Sequence, residues 1–361
     1  MNLQKRILSV GDAIREGLTE VAVRNPAVLL MSEGIADHSS VYGTTSGIGE
    51  HIDQNRIIEM PVAESAICGI AVGAALMGKR PVISFHRVEF ALLAMEQIVN
   101  NAAKAHYISN GRHKVPLVIR MIIGRGWGQG PEHSQSLEAV FSHFPGLKVV
   151  MPTYPQDAKG LMIAAVEDDN PVVMIEHRWC HYTTGHVPEG YYTEPLDGPR
   201  AVRQGADVTI VATSYMTLEA VRAVEALEKL GYSATVFDLR VLRPLLLDRV
   251  FESVRQTGRL VTVDTGFKKF GIGSEVVSEV VANCFSSLKA APRRLGLPDH
   301  PAPSSRGFLP GYYTDAVSIL RNIGTMLEIA APKVDGAVAE LIEQHKGFPV
   351  DVPDPFFKGP F

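Results

Sequence analysis

The sequence predicts an α/β protein with two domains, each a mostly parallel sheet covered by helices on both faces. Strand-like and helix-like segments alternate over most of the 361 residues. The predicted strands are short, continuous apolar runs, which is typical of parallel strands buried on both faces. The alternation stops between residues 186 and 200, where prolines and glycines interrupt it, and then restarts. Such a break is typical of an interdomain linker.

These features divide the chain into four segments. We predict a first domain over residues 1–185, a linker over 186–200, a second domain over 201–330 and a C-terminal extension over 331–361. A chain of this length can form two domains of ordinary size, and each can bury its own apolar core.

Helices are predicted where apolar residues recur at helical spacing, and strands where apolar residues run without interruption. Pro61 ends one predicted strand, and Gly231 ends one predicted helix. In the first domain we expect helices over 7–24, 63–77, 89–107, 136–141 and 155–166, and strands over 27–31, 56–60, 80–85, 116–123, 148–151 and 171–176. In the second domain we expect helices over 218–230, 248–257, 274–284 and 315–327, and strands over 207–213, 234–239, 260–264 and 294–297.

Composition and charge exclude several classes of protein. The net charge of -4, with no basic patch along the chain, argues against a nucleic-acid partner. The cysteines, Cys68, Cys180 and Cys284, are three in number and far apart, which is typical of a reducing compartment. No segment approaches the ~18 uninterrupted apolar residues of a membrane helix, and the N-terminus lacks a secretory pattern. We therefore expect a cytoplasmic protein.

One acidic residue stands alone in an apolar helix. Between Pro61 and Gly78 every side chain except Glu64 and Ser65 is apolar or small. Glu64 lies in the first helical turn, where a carboxylate can offset the helix dipole. A carboxylate among apolar side chains can also serve as a proton-handling group. Position alone leaves both interpretations open, and it favours the helix-capping one.

A second candidate, His133, follows a glycine-rich approach that starts at Gly124. Glycines allow the backbone to come close to a ligand, and an imidazole placed after them can point into a cleft. The glycines of this loop do not have the G-x-G-x-x-G spacing of a dinucleotide site. A lone histidine is also common as a surface or capping residue, so this position alone does not establish a function.

Longer strings over nearly the whole chain carry a resemblance. They are Pro61-Val-Ala-Glu64-Ser-Ala-Ile, Glu96-Gln-Ile-Val-Asn100-Asn-Ala-Ala-Lys104, Gly130-Pro-Glu-His133-Ser-Gln-Ser136, His143-Phe-Pro-Gly-Leu-Lys-Val-Val150, Asp157-Ala-Lys-Gly-Leu161, Asp238-Leu-Arg-Val-Leu-Arg-Pro-Leu245 and Gly258-Arg-Leu-Val. In this order and spacing, the chain resembles the β subunits of thiamine-diphosphate-dependent 2-oxoacid dehydrogenases (the E1 component). It is more loosely similar to the pyrimidine-binding and C-terminal domains of transketolases.

The resemblance implies roles for four residues. Glu64 matches the family's carboxylate, which hydrogen-bonds the aminopyrimidine ring so that thiamine diphosphate can lose its thiazolium proton. This role suits one acid in a dry pocket with no second acid beside it. Phe90 matches the aromatic residue that stacks on the pyrimidine, and His133 matches the histidine thought to assist proton movement or acyl transfer. Glu33, after the first predicted strand, is a further candidate near the thiazolium ring.

The resemblance also implies partners. In this family a Gly-Asp-Gly signature helps to hold the magnesium ion that binds the cofactor's diphosphate, and no Gly-Asp-Gly occurs in this sequence. The family carries that signature on a separate α subunit, which holds the magnesium. We therefore expect an α2β2 heterotetramer with a homodimer of this chain at its core, and docking to a lipoyl acyltransferase. We expect the chain alone to be inactive and to bind thiamine diphosphate weakly.

Several positions depart from the family pattern or match it weakly. Before Phe90, where relatives carry an acid and often a glutamine, this chain has Ser84, His86 and Arg87, so its substrate or acceptor can differ from theirs. His86 or Arg87 could meet a substrate carboxylate or phosphate, or could face solvent or a partner. The remaining candidates are Trp127 and Arg125 beside His133, Asp168 and Asn170 as weak potassium ligands, and Phe356, Phe357 and Phe361 in a tail that could dock on a partner.

Three functions are compatible with these residues. The favoured one is the β subunit of a two-chain 2-oxoacid dehydrogenase that decarboxylates a 2-oxoacid and passes the acyl group to a lipoyl carrier. The second is half of a split transketolase or an acyloin-type synthase that forms a C–C bond. The third is a non-catalytic scaffold with the same fold, which would have no reason to retain Glu64, Phe90 and His133 together.

Overall fold

The computed structural model describes residues 6–37, 40–126 and 128–348. Its strands are β1 (Ile7–Ser9), β2 (Val28–Ser32), β3 (Ile57–Glu59), β4 (Arg80–Phe85), β5 (Val118–Ile123), β6 (Lys148–Val150), β7 (Val172–His177), β8 (Thr184–His186), β9 (Arg200–Arg203), β10 (Val208–Ala212), β11 (Ala234–Asp238), β12 (Val241–Arg243), β13 (Leu260–Phe267) and β14 (Arg293–Leu297). Its α-helices are α1 (Val10–Arg24), α2 (Glu64–Leu76), α3 (Ala103–Ile108), α4 (Gly130–His133), α5 (Glu138–Ser142), α6 (Pro155–Glu167), α7 (Tyr215–Glu228), α8 (Asp248–Thr257), α9 (Ile272–Cys284), α10 (Ala316–Met326) and α11 (Ala331–Gln344).

Two mostly parallel sheets confirm the predicted α/β fold with two domains. The first sheet has the strand order β12-β6-β7-β5-β4-β2-β3, and every neighbouring pair is parallel except β12 with β6. The second has the order β14-β13-β10-β11-β9, and only β9 runs antiparallel to its neighbour. Among the described residues, no helix has both the length and the apolar composition needed to cross a bilayer.

Strand β12 comes from the second half of the chain and completes the first sheet. Val241 pairs with Val150 at the sheet edge. The domain boundaries proposed at residues 185, 200 and 330 remain predictions. Helix α11, which follows the third of these boundaries, buries Val334, Val338 and Leu341 in the same apolar core as α7 and α10. The tail phenylalanines Phe356, Phe357 and Phe361 lie outside the described residues.

The first predicted helix starts three residues later than expected. Residues 7–9 form β1, which pairs with β8 nearly 180 residues further along the chain. The hydroxyl of Ser9 then accepts a hydrogen bond from the backbone N–H of Asp12 at 3.0 Å and caps α1. The helix prediction was wrong for residues 7–9 because a distant strand pairs with them.

The predicted helix over residues 89–107 is not a single α-helix. It begins as a 3₁₀ turn over Phe90–Ala94, continues as a π-helical stretch over Glu96–Ala102 and ends as α3. Helix α2 packs against both irregular turns. Wide π-helical turns often occur at functional sites. Here the irregular helix starts with Phe90, one of the predicted cofactor-binding residues.

A buried acid links the two domains. The carboxylate of Asp238, at the end of β11, accepts hydrogen bonds from Thr153 of the first domain at 2.8 Å and from Thr217 of α7 at 3.1 Å. Burial, together with the nearby carboxylate of Asp157, raises the pKa of Asp238 to about 8. The folded protein therefore holds this acid in its protonated form near neutral pH.

Replacing Asp238 should change how stability depends on pH. Its folded pKa of about 8 lies above the ordinary value of ~3.9. The folded state therefore binds the proton more tightly, and wild-type stability falls as pH rises between these two values. We expect Asp238→Asn to gain stability relative to wild type as the pH rises from about 4 to about 8, measured by urea unfolding. Asp248→Asn, at an exposed position, is the control. If the difference in stability from wild type stayed constant with pH for both variants, the raised pKa of Asp238 would be contradicted.

Candidate functional site

The candidate residues gather at one edge of the first sheet. Parallel strands β2, β4, β5 and β7 all end there, and the crevice outside the carboxyl ends of such strands is a usual place for a ligand. The hydroxyl of Ser32 donates to the carbonyl of Ser84 at 3.0 Å and ties the ends of β2 and β4 together. Glu33, His86 and Arg178 each follow one of these strand ends closely.

A cavity of about 590 Å³ opens at this edge. Its lining combines aromatic rings with charged and hydrogen-bonding groups. The lining residues are Gly34, Asp37, Val41, Tyr42, Gly43, His86, Arg87, Phe90, His133, Arg178 and Tyr182. Two of the predicted site residues, Phe90 and His133, therefore share one cavity, and the volume is typical of a small-molecule site.

Glu64 is the first residue of α2 and is only 7% exposed. Among the described residues, its carboxylate makes no hydrogen bond. Its oxygens are therefore free of protein donors in this part of the chain and can accept a hydrogen bond from a bound molecule. Glu64 does not line the cavity, but its helix packs directly against the turn that starts at Phe90.

The expectation that no second acid lies near Glu64 is wrong in three dimensions. Burial raises the pKa of Glu33, and the nearby carboxylates of Glu64 and Glu59 raise it further. The carboxylate of Glu59 accepts hydrogen bonds from the backbone N–H groups of Gly34 at 2.6 Å and Ala36 at 3.0 Å. Gly34 adopts a left-handed φ of 60°, which suits glycine in this turn. Glu64, which stands alone among apolar residues in the sequence, is therefore one of three neighbouring acids in the folded protein.

His133 is oriented by an acid that sequence reasoning missed. Its Nδ1 donates to the Oε1 of Glu89 at 2.5 Å. Because an ionised carboxylate only accepts hydrogen bonds, this contact places a hydrogen on Nδ1, so that Nε2 is the proton acceptor of the neutral imidazole. Glu89 is buried and His133 is partly exposed toward the cavity. The position of Glu89, just before the predicted aromatic Phe90, was the available sequence signal.

Phe90 and His133 touch edge to face. Their ring centroids are 5.8 Å apart and their planes are inclined by 72°. The phenylalanine is half-buried and lines the cavity, so part of its ring is accessible to a ligand. This placement is compatible with stacking on a flat heterocycle.

Arg120 forms a buried ion pair beneath the cavity. Its guanidinium binds Glu176 through two contacts of 2.6 and 2.9 Å and donates to the hydroxyl of Thr44 at 2.6 Å. Glu176 also contacts the Nε2 of His181 at 3.0 Å. Burial alone would raise the pKa of Glu176, but Arg120 and His181 hold it at about 2. The network joins strands β5 and β7 to the loop that carries Tyr42.

Two arginines, Arg87 and Arg178, also line the cavity. The guanidinium of Arg178 lies 4.7 Å from the ring centroid of Tyr42 and 4.9 Å from that of Tyr182, and it donates to the Tyr182 hydroxyl at 2.9 Å. The backbone of Tyr42 has a φ of 57°, a strained value for a residue with a side chain. Arg87 is buried and lines the same cavity, which rules out the solvent-facing alternative for its side chain.

The potassium candidates lie elsewhere and fit an ion poorly. The Asp168 carboxylate accepts from Lys148, and its Oδ1 accepts from the backbone of Asn170 at 2.8 Å. The guanidinium of Arg80 donates to the carbonyls of Val166 at 2.8 Å and Asp168 at 3.0 Å. Side-chain cations thus occupy these oxygens. Among the described residues, no group of three or more His, Cys, Asp or Glu side chains is arranged to hold a metal. Trp127 lies outside the described part of the chain.

Comparisons with known proteins decide the family. Two family models match: the transketolase pyrimidine binding domain over residues 7–180 and the transketolase C-terminal domain over residues 199–316. The chain is 38% identical over 311 residues to the β subunit of acetoin:2,6-dichlorophenolindophenol oxidoreductase from Cupriavidus necator, covering 83% of this chain and 91% of that protein. It is 37% identical to the pyruvate dehydrogenase E1 component subunit β of Rickettsia felis and to the 2-oxoisovalerate dehydrogenase subunit β of Bacillus subtilis, covering 82% of this chain and 91% of each relative.

The chain belongs to the family of E1 β subunits of thiamine-diphosphate-dependent 2-oxoacid dehydrogenases. This confirms the resemblance found in the sequence. Among solved structures, a split-gene transketolase described as an inactive β4 tetramer aligns with a TM-score of 0.71 and 25% identity, covering 89% of this chain and 99% of that chain. The family implies an α-subunit partner in a heterotetramer. The roles of individual residues in this E1 β-type chain remain predictions.

The Glu89–His133 contact can be tested in the enzyme assembled with its α subunit. Glu89→Gln removes the charge that holds the Nδ1 hydrogen of His133, so the imidazole no longer keeps one tautomer. We expect kcat to fall by about 10-fold or more with a smaller change in KM, because Glu89 does not itself line the cavity. Glu89→Asp should recover part of the lost kcat.

Glu279→Gln, on the exposed face of α9, is the control and should leave kcat unchanged. If Glu89→Gln raised KM as strongly as it lowered kcat, or had no effect on either, then Glu89 would not orient His133 for the reaction.

Proposed function

We propose that this chain is the β half of a two-chain thiamine-diphosphate-dependent 2-oxoacid dehydrogenase, which decarboxylates a 2-oxoacid and passes the acyl group to a lipoyl carrier. The observation that carries the proposal is a buried carboxylate, Glu64, whose helix packs on the turn holding Phe90 beside the oriented imidazole of His133. An acid, an aromatic ring and a proton acceptor in this arrangement suit an aminopyrimidine cofactor better than a nucleotide or a metal.

The residues present fit the pyrimidine half of thiamine diphosphate. When bound, this cofactor supplies a nucleophilic carbon that accepts the 2-oxo group. Glu64 would hold the ring nitrogen of its aminopyrimidine by a hydrogen bond, and Phe90 would pack against the ring. His133 would take up or release a proton at its Nε2 near the reacting substrate. Glu33, with its raised pKa, would lie near the thiazolium side as a second acid.

The diphosphate and magnesium would be held by the α subunit, because this sequence contains no Gly-Asp-Gly. A partner subunit at this place is supported by the apolar side chains that are exposed on the outer face of α2 and around it. Val62 is 80% exposed and Met77 is 84% exposed, and Ile70 and Leu93 are also exposed. An apolar helix with an uncovered face is typical of a surface that another subunit covers. We propose an α2β2 heterotetramer with two copies of this chain at its core, which docks on a lipoyl acyltransferase.

A second function is favoured by one observation. The split-gene transketolase structure aligns with 89% of this chain, so the same fold also occurs as half of a C–C bond-forming enzyme. A lipoamide-independent ligation activity in the assembled enzyme would select this alternative. Acyl transfer to a lipoyl carrier would select the dehydrogenase.

Glu64→Gln tests the carboxylate in the complex with the α subunit. Glutamine keeps the shape of the side chain, but its amide cannot perform the function of the carboxylate at the ring nitrogen. We therefore expect kcat to fall by on the order of 10²-fold to 10⁴-fold. Thermal unfolding of the variant should be nearly unchanged, because the carboxylate makes no hydrogen bond among the described residues that the substitution would remove.

Glu275→Gln provides a matched control, since Glu275 is an exposed acid in the first turn of α9. A loss of stability in both variants with retained activity would mean that Glu64 only offsets a helix dipole. That result would contradict its catalytic role.

A further inference from the structure

The cavity beside His133 carries positive charge where an aliphatic substrate would need apolar side chains. Arg87 and Arg178 both line it, and each is only 4% exposed. Arginine is the residue best suited to bind carboxylates and phosphates through two parallel hydrogen bonds. Their presence therefore bears on the substrate that enters the cavity.

The two guanidinium groups lie close enough to influence each other. Burial lowers the pKa of Arg87, and the charge of Arg178 contributes in the same direction, while Tyr42 and Glu89 oppose it. Like charges held together in a buried place attract an anion between them. Glu89 lies behind His133 and is hydrogen-bonded to it, and Asp37 lies at the exposed rim of the cavity.

Around Arg178, the other polar side chains of the described cavity lining are neutral donors and rings. Tyr42 and Tyr182 flank the guanidinium of Arg178 and hold it in place. The ring of His86 stands edge-on to Tyr42 at 5.8 Å. Burial lowers the pKa of His86, and Arg120 and Arg87 lower it further, so this imidazole is neutral at physiological pH. It can donate a hydrogen bond to an anion without adding a third charge.

We propose that this cavity binds a second anionic group on the substrate, so that the enzyme acts on 2-oxoacids bearing a carboxylate or phosphate remote from the 2-oxo group. This inference rests on the proposed function and specifies its substrate class. The carboxylate next to the 2-oxo group is a poor ligand for these arginines, because it loses its charge when it leaves as carbon dioxide. Strong binding of it would stabilise the substrate more than the transition state and would slow the reaction. A remote anion keeps its charge throughout.

Equilibrium binding of unreactive acids tests the proposed anion site independently of turnover. The enzyme assembled with its α subunit and cofactor is titrated calorimetrically with unreactive 2-hydroxy acids of one chain length: 2-hydroxypentanoate and 2-hydroxypentanedioate, with 2-hydroxy-4-phosphonobutanoate to distinguish phosphate from carboxylate. We expect at least one dianion to bind about 10-fold or more tightly than the monoanion. Equal affinity for all three acids, or tighter binding of 2-hydroxypentanoate, would overturn the inference.

Variants test whether the preference for a dianion depends on the two arginines. Arg178→Met should reduce the ratio of affinities to near one, Arg178→Lys should retain part of it, and Arg249→Met on the exposed face of α8 should leave it unchanged. Arg87→Met provides a second test if Arg178→Met fails to assemble. An affinity ratio that survives both methionine variants would show that the dianion binds elsewhere, and it would overturn the assignment.

Turnover of the matching 2-oxoacids reports on the proposed function separately. Preferential turnover of 2-oxopentanedioate or its phosphonate counterpart supports both proposals. Better turnover of 2-oxopentanoate, with no preference in binding, supports the dehydrogenase and overturns the inference. Tight binding of a dianion without turnover of any 2-oxoacid supports the anion site and counts against the dehydrogenase.

Discussion

The buried ion pair between Arg120 and Glu176 is the contact on which the geometry of the cavity depends. It joins the two central strands β5 and β7, and through Thr44 and His181 it reaches the loop and the turn on either side of the cavity. Both charges are fully buried, so the pair is stable only because each group is hydrogen-bonded. Loss of one partner would leave an unpaired buried charge, which typically costs about 3–5 kcal/mol. The positions of Tyr42 and Arg178 follow from this pair.

The rest of the site is divided between two environments. On one side, Glu64, Glu33 and Glu59 form a group of acids at the start of α2 and the ends of β2 and β3. On the other side, Arg87 and Arg178 make the cavity cationic. Phe90 and its neighbour His133 lie on the cavity side, and the packing of α2 on the Phe90 turn connects the two. A positively charged thiazolium suits the acidic side, and an anionic substrate suits the cationic side.

Local sequence determined much of the fold. Strand β4 and helix α8 have the predicted bounds, because an apolar run and a strong amphipathic pattern each end abruptly at both termini. Strands β1 and β12 were missed, since three residues become a strand only when a distant partner pairs with them. The π-helical turn after Phe90 was missed as well. Apolar residues at helical spacing do not reveal how tightly a helix is wound.

The site residues also divide into those that the local sequence indicates and those whose role depends on distant contacts. Glu64 could be found because its apolar surroundings lie next to it in the chain. Glu33 was also a candidate from the sequence, but its closeness to Glu64 and Glu59 depends on how the strands are placed in the sheet. Glu89 was hidden because its importance depends on a hydrogen bond to a residue 44 positions away. Arg178 follows a strand end, but its place in the cavity depends on the fold of Tyr42 and Tyr182 around it.

Calorimetric titration with thiamine diphosphate and magnesium tests most directly the claim that this chain provides only half of a cofactor site. The titration compares the chain alone with the chain assembled with its α subunit. The account predicts that the chain alone binds at least about 100-fold more weakly, a difference of about 2.7 kcal/mol, because its sequence contains no Gly-Asp-Gly to hold the magnesium that binds the diphosphate. Equally tight binding by the chain alone would contradict it.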